Sequence, residues 1–185
     1  MKINIGEFLT RRSSLTPDKE GLVCEGVRRT FGQLNSRANR LANAMANLGV
    51  ARGDRVGLLA LNEPEFYDMF FGLGKIGVIL TPVNYRLAGP EIQFILSDCD
   101  AKVLVFGKEY VDVVDSIRDK IPSKELIAIS DDPPEWAKSY ETLIGDASCD
   151  EPRLTGGDED TLTILYTSGT TGRPKGAELT HSYYY

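Results

Sequence analysis

The sequence predicts an α/β fold in which a mostly parallel sheet carries helices on both faces. Three observations point there. Between residues 55 and 129, short apolar runs alternate with helical patterns: "RVGLLAL", "VILTPV", "KVLVF" and "ELIAI" are separated by segments of helix length. Those runs are continuously apolar instead of alternating, the pattern of strands buried on both faces. The spacers are long enough for right-handed crossovers between parallel strands. The chain, 185 residues long, suits one domain, 1–185.

The elements follow in order. "LVCEGVRRT" alternates around Glu25-Gly26 and predicts a hairpin. Thr30 opens a helix, with Gln33 at capping-box spacing. Leu34, Ala38, Leu41, Met45 and Leu48 recur every three or four residues and form its apolar face, and Gly49 closes it with a left-handed cap. Strand 55–61 precedes a helix over 64–77 with Pro64 in its first turn. Strand 78–83, helix 89–98, strand 102–106, helix 109–121 and strand 125–129 come next. Residues 130–160 are polar and read as a surface excursion, with one short helix near "SYETLI" and with Trp136 and Tyr140 pinning it to the body. "TLTILYT" (161–167) is a strong strand and "GAELT" (176–180) its return strand.

Composition narrows the function classes. Hydrophobic residues make up 42% and charged residues 26%, as in ordinary globular proteins. The apolar runs are too short to span a bilayer, and the start resembles neither a signal peptide nor an anchor. Cys24, Cys99 and Cys149 are odd in number and widely spaced, which argues against a disulfide framework or metal knuckle and for free thiols in a reducing cytosol. His181 is the only histidine, so a zinc site of the usual kind cannot be built, and no Ser–His–Asp set is sensible here. Residues 1–60 carry ten basic and five acidic side chains, whereas residues 61–185 carry 11 and 22. The basic residues of the first third are scattered and not interleaved with aromatics, so nucleic acid is not the expected partner. Phe66, Phe70 and Phe71 read as packing residues or the border of an acyl channel, Tyr85-Arg86 as a loop anchor or a substrate contact, and Asp158–Asp160 as a solvated run, not a magnesium site.

The chemistry concentrates in "TSGTTGRPKG", 167–176. Thr167, Ser168, Thr170 and Thr171 supply hydroxyls. Gly169, Gly172 and Gly176 let the backbone adopt positive φ and approach a ligand closely. Successive backbone N–H groups in such a turn make an anion nest. Lys175 adds an ammonium, and Arg173 a second positive charge. The array donates and hardly accepts, so a polyphosphate is its natural partner. One Lys–phosphate contact contributes about 4 kcal/mol at an effective dielectric near 20. Each charge-assisted bond adds roughly 1.5–3 kcal/mol, enough together for micromolar binding of a triphosphate after association costs. The common P-loop is excluded, because Lys175 is followed by Gly176 and a strand instead of Ser/Thr and a helix. A Gly/Thr-rich hairpin with no ligand is the plain alternative.

"YTSGTTGRPKG" (166–176) resembles the phosphate-loop signature of the adenylate-forming, AMP-binding enzymes. "TFGQLNSRANRLANAMANLGVARGDRVGLLALN" (30–62) and "FGLGKIGVILTPVNYRLAGPEIQFILSDCDAKVLV" (71–105) resemble the amino-terminal region of that family, with the acyl-CoA synthetase, or fatty-acid–CoA ligase, branch fitting best. The resemblance implies ATP with Mg²⁺, a fatty or aryl carboxylic acid and coenzyme A as reactants. It implies that Thr167, Ser168, Gly169, Thr170, Thr171, Gly172, Lys175 and Gly176 bind the ATP phosphates. No catalytic residue is implied within the segment, since the substrate carboxylate is itself the nucleophile. His181 is open to either a substrate-side role or a cap or surface role. The ending "THSYYY" departs from the family's continuation, and its tyrosines have no evident packing role. The acyl pocket, adenine and ribose contacts and small carboxy-terminal domain of the family find no counterpart here. The expectation is therefore an incomplete amino-terminal subdomain, inactive as a ligase by itself and cytoplasmic. A non-catalytic phosphate-binding module, one half of a split protein with a complementing chain, and a homo-oligomer all stay open.

Overall fold

A computed structural model describes residues 4–167 and 173–185. Asn4 caps helix α1 (Ile5–Leu15) by accepting the Gly6 N–H at 2.8 Å. β1 (Glu20–Cys24) and β2 (Val27–Thr30) form the expected hairpin, with Glu25 at φ 46° and Gly26 at φ 86°. Two positive φ values match the twist of a tight two-residue turn, and glycine takes the second without strain. Helix α2 (Phe31–Asn47) starts with the expected box: Thr30 Oγ1 accepts from Gln33 N–H, and Gln33 Oε1 accepts from Thr30 N–H. Gly49, at φ 79°, ends it.

β3 (Arg55–Leu59), α3 (Glu65–Lys75), β4 (Ile79–Pro82), α4 (Gly89–Asp98) and β5 (Ala101–Gly107) then follow. Pro64 stands at the cap position of α3 instead of inside it. The expected single helix over 109–121 is divided: α5 (Val111–Ile117) is flanked by tighter 3₁₀ turns at Lys108–Tyr110 and Arg118–Lys120. Backbone angles at Tyr110 and Ile117 leave the helical region and make those breaks. β6 (Glu125–Ile129), β7 (Lys138–Ser139), α6 (Tyr140–Gly145), β8 (Thr161–Thr167) and β9 (Lys175–Thr180) complete the order.

Among the described residues the main sheet has seven strands in the order β7-β6-β5-β3-β4-β8-β9. All neighbours are parallel except β8 and β9. Both faces are covered, as the continuous apolar strands require. Val103, Val105 and Ile127 meet Leu41, Met45, Met69, Leu73, Tyr140 and Ile144 of α2, α3 and α6. Leu104, Phe106 and Ala128 meet Ile92, Ile95, Leu96, Val114 and Ile117 of α4 and α5. Each fully buried aliphatic side chain of this kind contributes roughly 1.5–3 kcal/mol. Helices α2 and α3 cross where a β-carbon at Gly72 would lie 2.6 Å from the Ala38 carbonyl oxygen, so glycine sets their approach.

The polar excursion is tied down by α2. Asn35, Asn39 and Asn43 recur every four residues and therefore share one face. Asn39 Nδ2 donates to Cys149 O, and Asn43 Nδ2 to Ser148 O and Asp150 O. Arg40 donates to Gly145 O and Ala147 O. These side chains satisfy main-chain carbonyls that no sheet or helix partner reaches. Lys75, fully buried, donates to Asn35 Oδ1 at 2.7 Å, Asn39 Oδ1 at 2.6 Å and Glu151 Oε1 at 2.7 Å. Trp136 stacks on Phe106 and Tyr140 is fully buried, so both pin the excursion as expected.

Three readings are corrected. One of the terminal tyrosines does pack: Tyr184 meets Phe70 edge-on and its hydroxyl lies 2.8 Å from Thr163 Oγ1, while Tyr185 stays exposed with one face toward Phe8. Asp160 is not simply solvated. It pairs with Arg52 at 2.7 Å and accepts the Gly157 N–H, and Arg52 holds its carboxyl below the usual range. His181 has no surface role, being fully buried.

Candidate functional site

The candidate loop joins β8 to β9, and its stem follows from residue pattern. Leu162, Thr163 and Ile164 are buried, whereas Thr167 is exposed at the end of β8. The antiparallel register runs from Thr161↔Thr180 to Thr167↔Lys175. Thr167 and Lys175 thus face each other at the mouth of the hairpin. Both side chains are exposed, and among the described residues no ion pair or hydrogen bond engages the Lys175 ammonium. Ser168, Gly169, Thr170, Thr171 and Gly172, also expected to bind phosphate, lie outside the described residues.

Gly176 pairs with Tyr166. A β-carbon there would sit 2.8 Å from Ile164 Cγ2 and 3.1 Å from Tyr166 Cζ, so the glycine gives the tyrosine ring room. The Tyr166 hydroxyl donates to Asp98 Oδ2 at 2.5 Å. Burial, and then this bond, push its phenol above the ordinary value, which keeps it a donor. The Arg173 guanidinium lies 5.8 Å from the centre of the Phe94 ring.

Topology puts the hairpin mouth at the carboxyl end of the sheet. β8 runs parallel to β4, in register through Leu80↔Thr163, so Thr167 lies on the side of the sheet where the parallel strands end. β4 leads back across the sheet toward β5, whereas β8 leads outward to β9. Adjacent strands whose exits diverge open a crevice outside their carboxyl ends, the usual ligand position in open α/β sheets. The β4 exit carries Tyr85 and Arg86, with the guanidinium 5.4 Å from the tyrosine ring.

His181 is not brought to that crevice. It follows β9 and sits level with the start of β8, about 20 Å from the Thr167–Lys175 pair at ~3.3 Å per residue. Its Nδ1 accepts the Ile5 N–H at 3.0 Å, so the first turn of α1 is docked on it. Burial lowers its pKa, partly opposed by Asp160 and Asp158. Phe66, Phe70 and Phe71 line a groove of about 350 Å³ with Leu22, Cys24 and Tyr67. It lies on the α3 side of the sheet, opposite α4. Among the described residues no group of three or more His, Cys, Asp or Glu could hold a metal ion, and no helix is long and apolar enough to cross a membrane. The three cysteines are free thiols.

The fold defines an open, largely parallel α/β domain. A family model described as AMP-binding enzyme matches residues 9–185, and the chain belongs to that family. It is 41% identical over 182 residues to the long-chain-fatty-acid–CoA ligase FadD13 of Mycobacterium tuberculosis, covering 96% of this chain and 35% of the relative. It is 37% identical over 180 residues to the indoleacetate–CoA ligase of Aromatoleum aromaticum, covering 96% and 35%. A solved anthranilate–CoA ligase, AuaEII in complex with anthranoyl-AMP, superposes with a TM-score of 0.93 at 33% identity, covering 98% of this chain and 35% of that one. The chain therefore spans about 35% of the length of these relatives.

Proposed function

We propose that residues 1–185 are the amino-terminal part of the AMP-binding domain of an ATP-dependent acid–CoA ligase acting in the cytoplasm on a fatty or aryl acid. The carrying observation is the hairpin mouth, where an exposed lysine faces an exposed threonine on the carboxyl-end side of a parallel sheet. Kinship with fatty-acid and aryl-acid CoA ligases supports the substrate class.

In the proposed reaction a carboxylate oxygen attacks the α-phosphorus of Mg-ATP. The bond to the departing pyrophosphate breaks and an acyl-adenylate forms. The thiol of coenzyme A then attacks the acyl carbonyl, releasing AMP and a thioester. In this chain Lys175 and the hydroxyls of Thr167, Ser168, Thr170 and Thr171 hold the β- and γ-phosphates. Gly169, Gly172 and Gly176 let the backbone approach them. Positive charge and oriented donors there stabilise the charge that gathers on pyrophosphate as it leaves. No general base is required of these residues, because the attacking carboxylate is already ionised. Acyl, adenine and ribose recognition is assigned to segments of the relatives beyond the matched third.

Titration of this chain with Mg-ATP tests the reading. Lys175→Ala is expected to weaken binding about 10- to 100-fold, the loss of one charge-assisted contact of roughly 1.5–3 kcal/mol. Equal affinity in the variant refutes the assignment.

A further inference from the structure

Both limbs of the hairpin mouth are tied to one helix. Phe94 and Asp98 stand four residues apart on α4 and so share a face. Asp98 takes the Tyr166 hydroxyl from the ascending limb, at 2.5 Å. Phe94 takes the Arg173 guanidinium from the descending limb, within the range of a cation–π contact. Tyr166, next to Thr167 on β8, points to the opposite face of the hairpin. Arg173 is occupied on a ring, while Lys175, two residues on, has no such partner among the described residues. Gly176 belongs to the same device, since a β-carbon there would press on the Tyr166 ring at 3.1 Å and on Ile164 at 2.8 Å.

We propose that Asp98 and Phe94, acting through Tyr166 and Arg173, are positioning residues that hold the two limbs of the loop at the spacing a polyphosphate requires. The inference rests on the phosphate-loop reading above. Neither α4 residue touches the ligand; each acts by fixing a strand end whose backbone N–H groups and lysine do. Such a role predicts coupling. Tyr166 and Asp98 form one bond, so removing either partner removes the same constraint.

The test titrates this chain with inorganic tripolyphosphate, for the wild type, Tyr166→Phe, Asp98→Asn, their double variant and Lys175→Ala, and records thermal midpoints alongside. Amide hydrogen exchange of Lys175 and Gly176 is followed in the same samples. Expected are a threefold to tenfold loss of affinity in each single variant, no further loss in the double variant, faster exchange at Lys175 and Gly176, and midpoints within about 2 °C. Asp98→Glu, which keeps the acceptor, recovers part of the affinity. If Lys175→Ala weakens binding while Tyr166→Phe and Asp98→Asn bind as the wild type does, the positioning role is overturned and the phosphate-loop reading stands. Faster exchange with unchanged affinity also overturns it. If the wild type binds no tripolyphosphate, the phosphate-loop reading fails and this inference fails with it.

Discussion

Replacing Lys75 by methionine removes a buried ammonium and leaves the length of its stem almost unchanged. In the wild type all three ammonium protons are used, on Asn35 Oδ1, Asn39 Oδ1 and Glu151 Oε1 at 2.6–2.7 Å. The three orphaned acceptors fare differently. Asn39 is 3% exposed and cannot turn its oxygen to water, so it forfeits about 1–3 kcal/mol. Asn35 is only partly buried. The Glu151 side chain is 36% exposed and keeps the Thr10 hydroxyl at 2.6 Å. Rehydration of these two limits their joint loss to about 1 kcal/mol, below the roughly 3–5 kcal/mol for stranding a wholly buried charge. Relief of the lysine's own desolvation, which depresses its pKa, works in the other direction. The net expectation is a loss of about 2 kcal/mol, or roughly 4–8 °C in thermal midpoint for a chain of this size. Urea and thermal unfolding of the variant measure it. A midpoint within 1 °C of the wild type, or above it, would mean that desolvation outweighs the three bonds, and the clamp would not be a source of stability.

Two further outcomes are expected. His181 carries a pKa depressed below 6.5, so between its folded value and 6.5 the unfolded chain binds the extra proton. Its contribution is therefore complete above about pH 6.5 and is lost as pH falls through the folded value. Burial pushes Asp68 up to about 6 from 3.8, which gives the opposite slope between those values, so stability must be compared with His181→Asn. The wild type should lose stability relative to that variant on acidification, and parallel pH profiles would refute the role. Gly72→Ala sets about 1 kcal/mol of helix propensity against overpacking on the Ala38 carbonyl at 2.6 Å. Overpacking typically costs 1–3 kcal/mol, so a net loss of about 1 kcal/mol in urea unfolding is expected, and a more stable variant would show that α2 and α3 separate freely.

What was legible in the chain depended on whether its cause is local. The hairpin at Glu25-Gly26, the Thr30–Gln33 box and the glycine stop at Gly49 are each fixed by residues within a few positions, and all stand as read. Continuous apolar runs such as "KVLVF" declared strands covered on both faces because burial on both sides leaves no polar alternation. Helix α1 was missed although Asn4 before Ile5 and Leu9 carries a cap and an i, i+4 apolar pair. The asparagine stripe of α2 reads as a solvated face, yet its partners are carbonyls about a hundred residues away, beyond any window of periodicity. At the candidate site the hydroxyls, glycines and lysine were legible as residue types, and Ser168 to Gly172 lie outside the described residues. Tyr166 and Arg173 did not announce Asp98 and Phe94, since those contacts depend on where a crossover helix lands. His181 was equally unreadable, because its partner lies 176 residues upstream.

That last separation bears on how the molecule is made. The amide that His181 receives is translated 176 residues earlier, and Asn4 likewise waits for Thr155. At elongation rates of about 5–20 residues per second, the interval across those 176 residues is roughly 9–35 s. During it Leu9 can already pack on Leu22, Leu34 and Ala38, but the first turn of α1 lacks the imidazole that will accept the Ile5 amide. The cap of α1 is thus completed long after the helix itself is made.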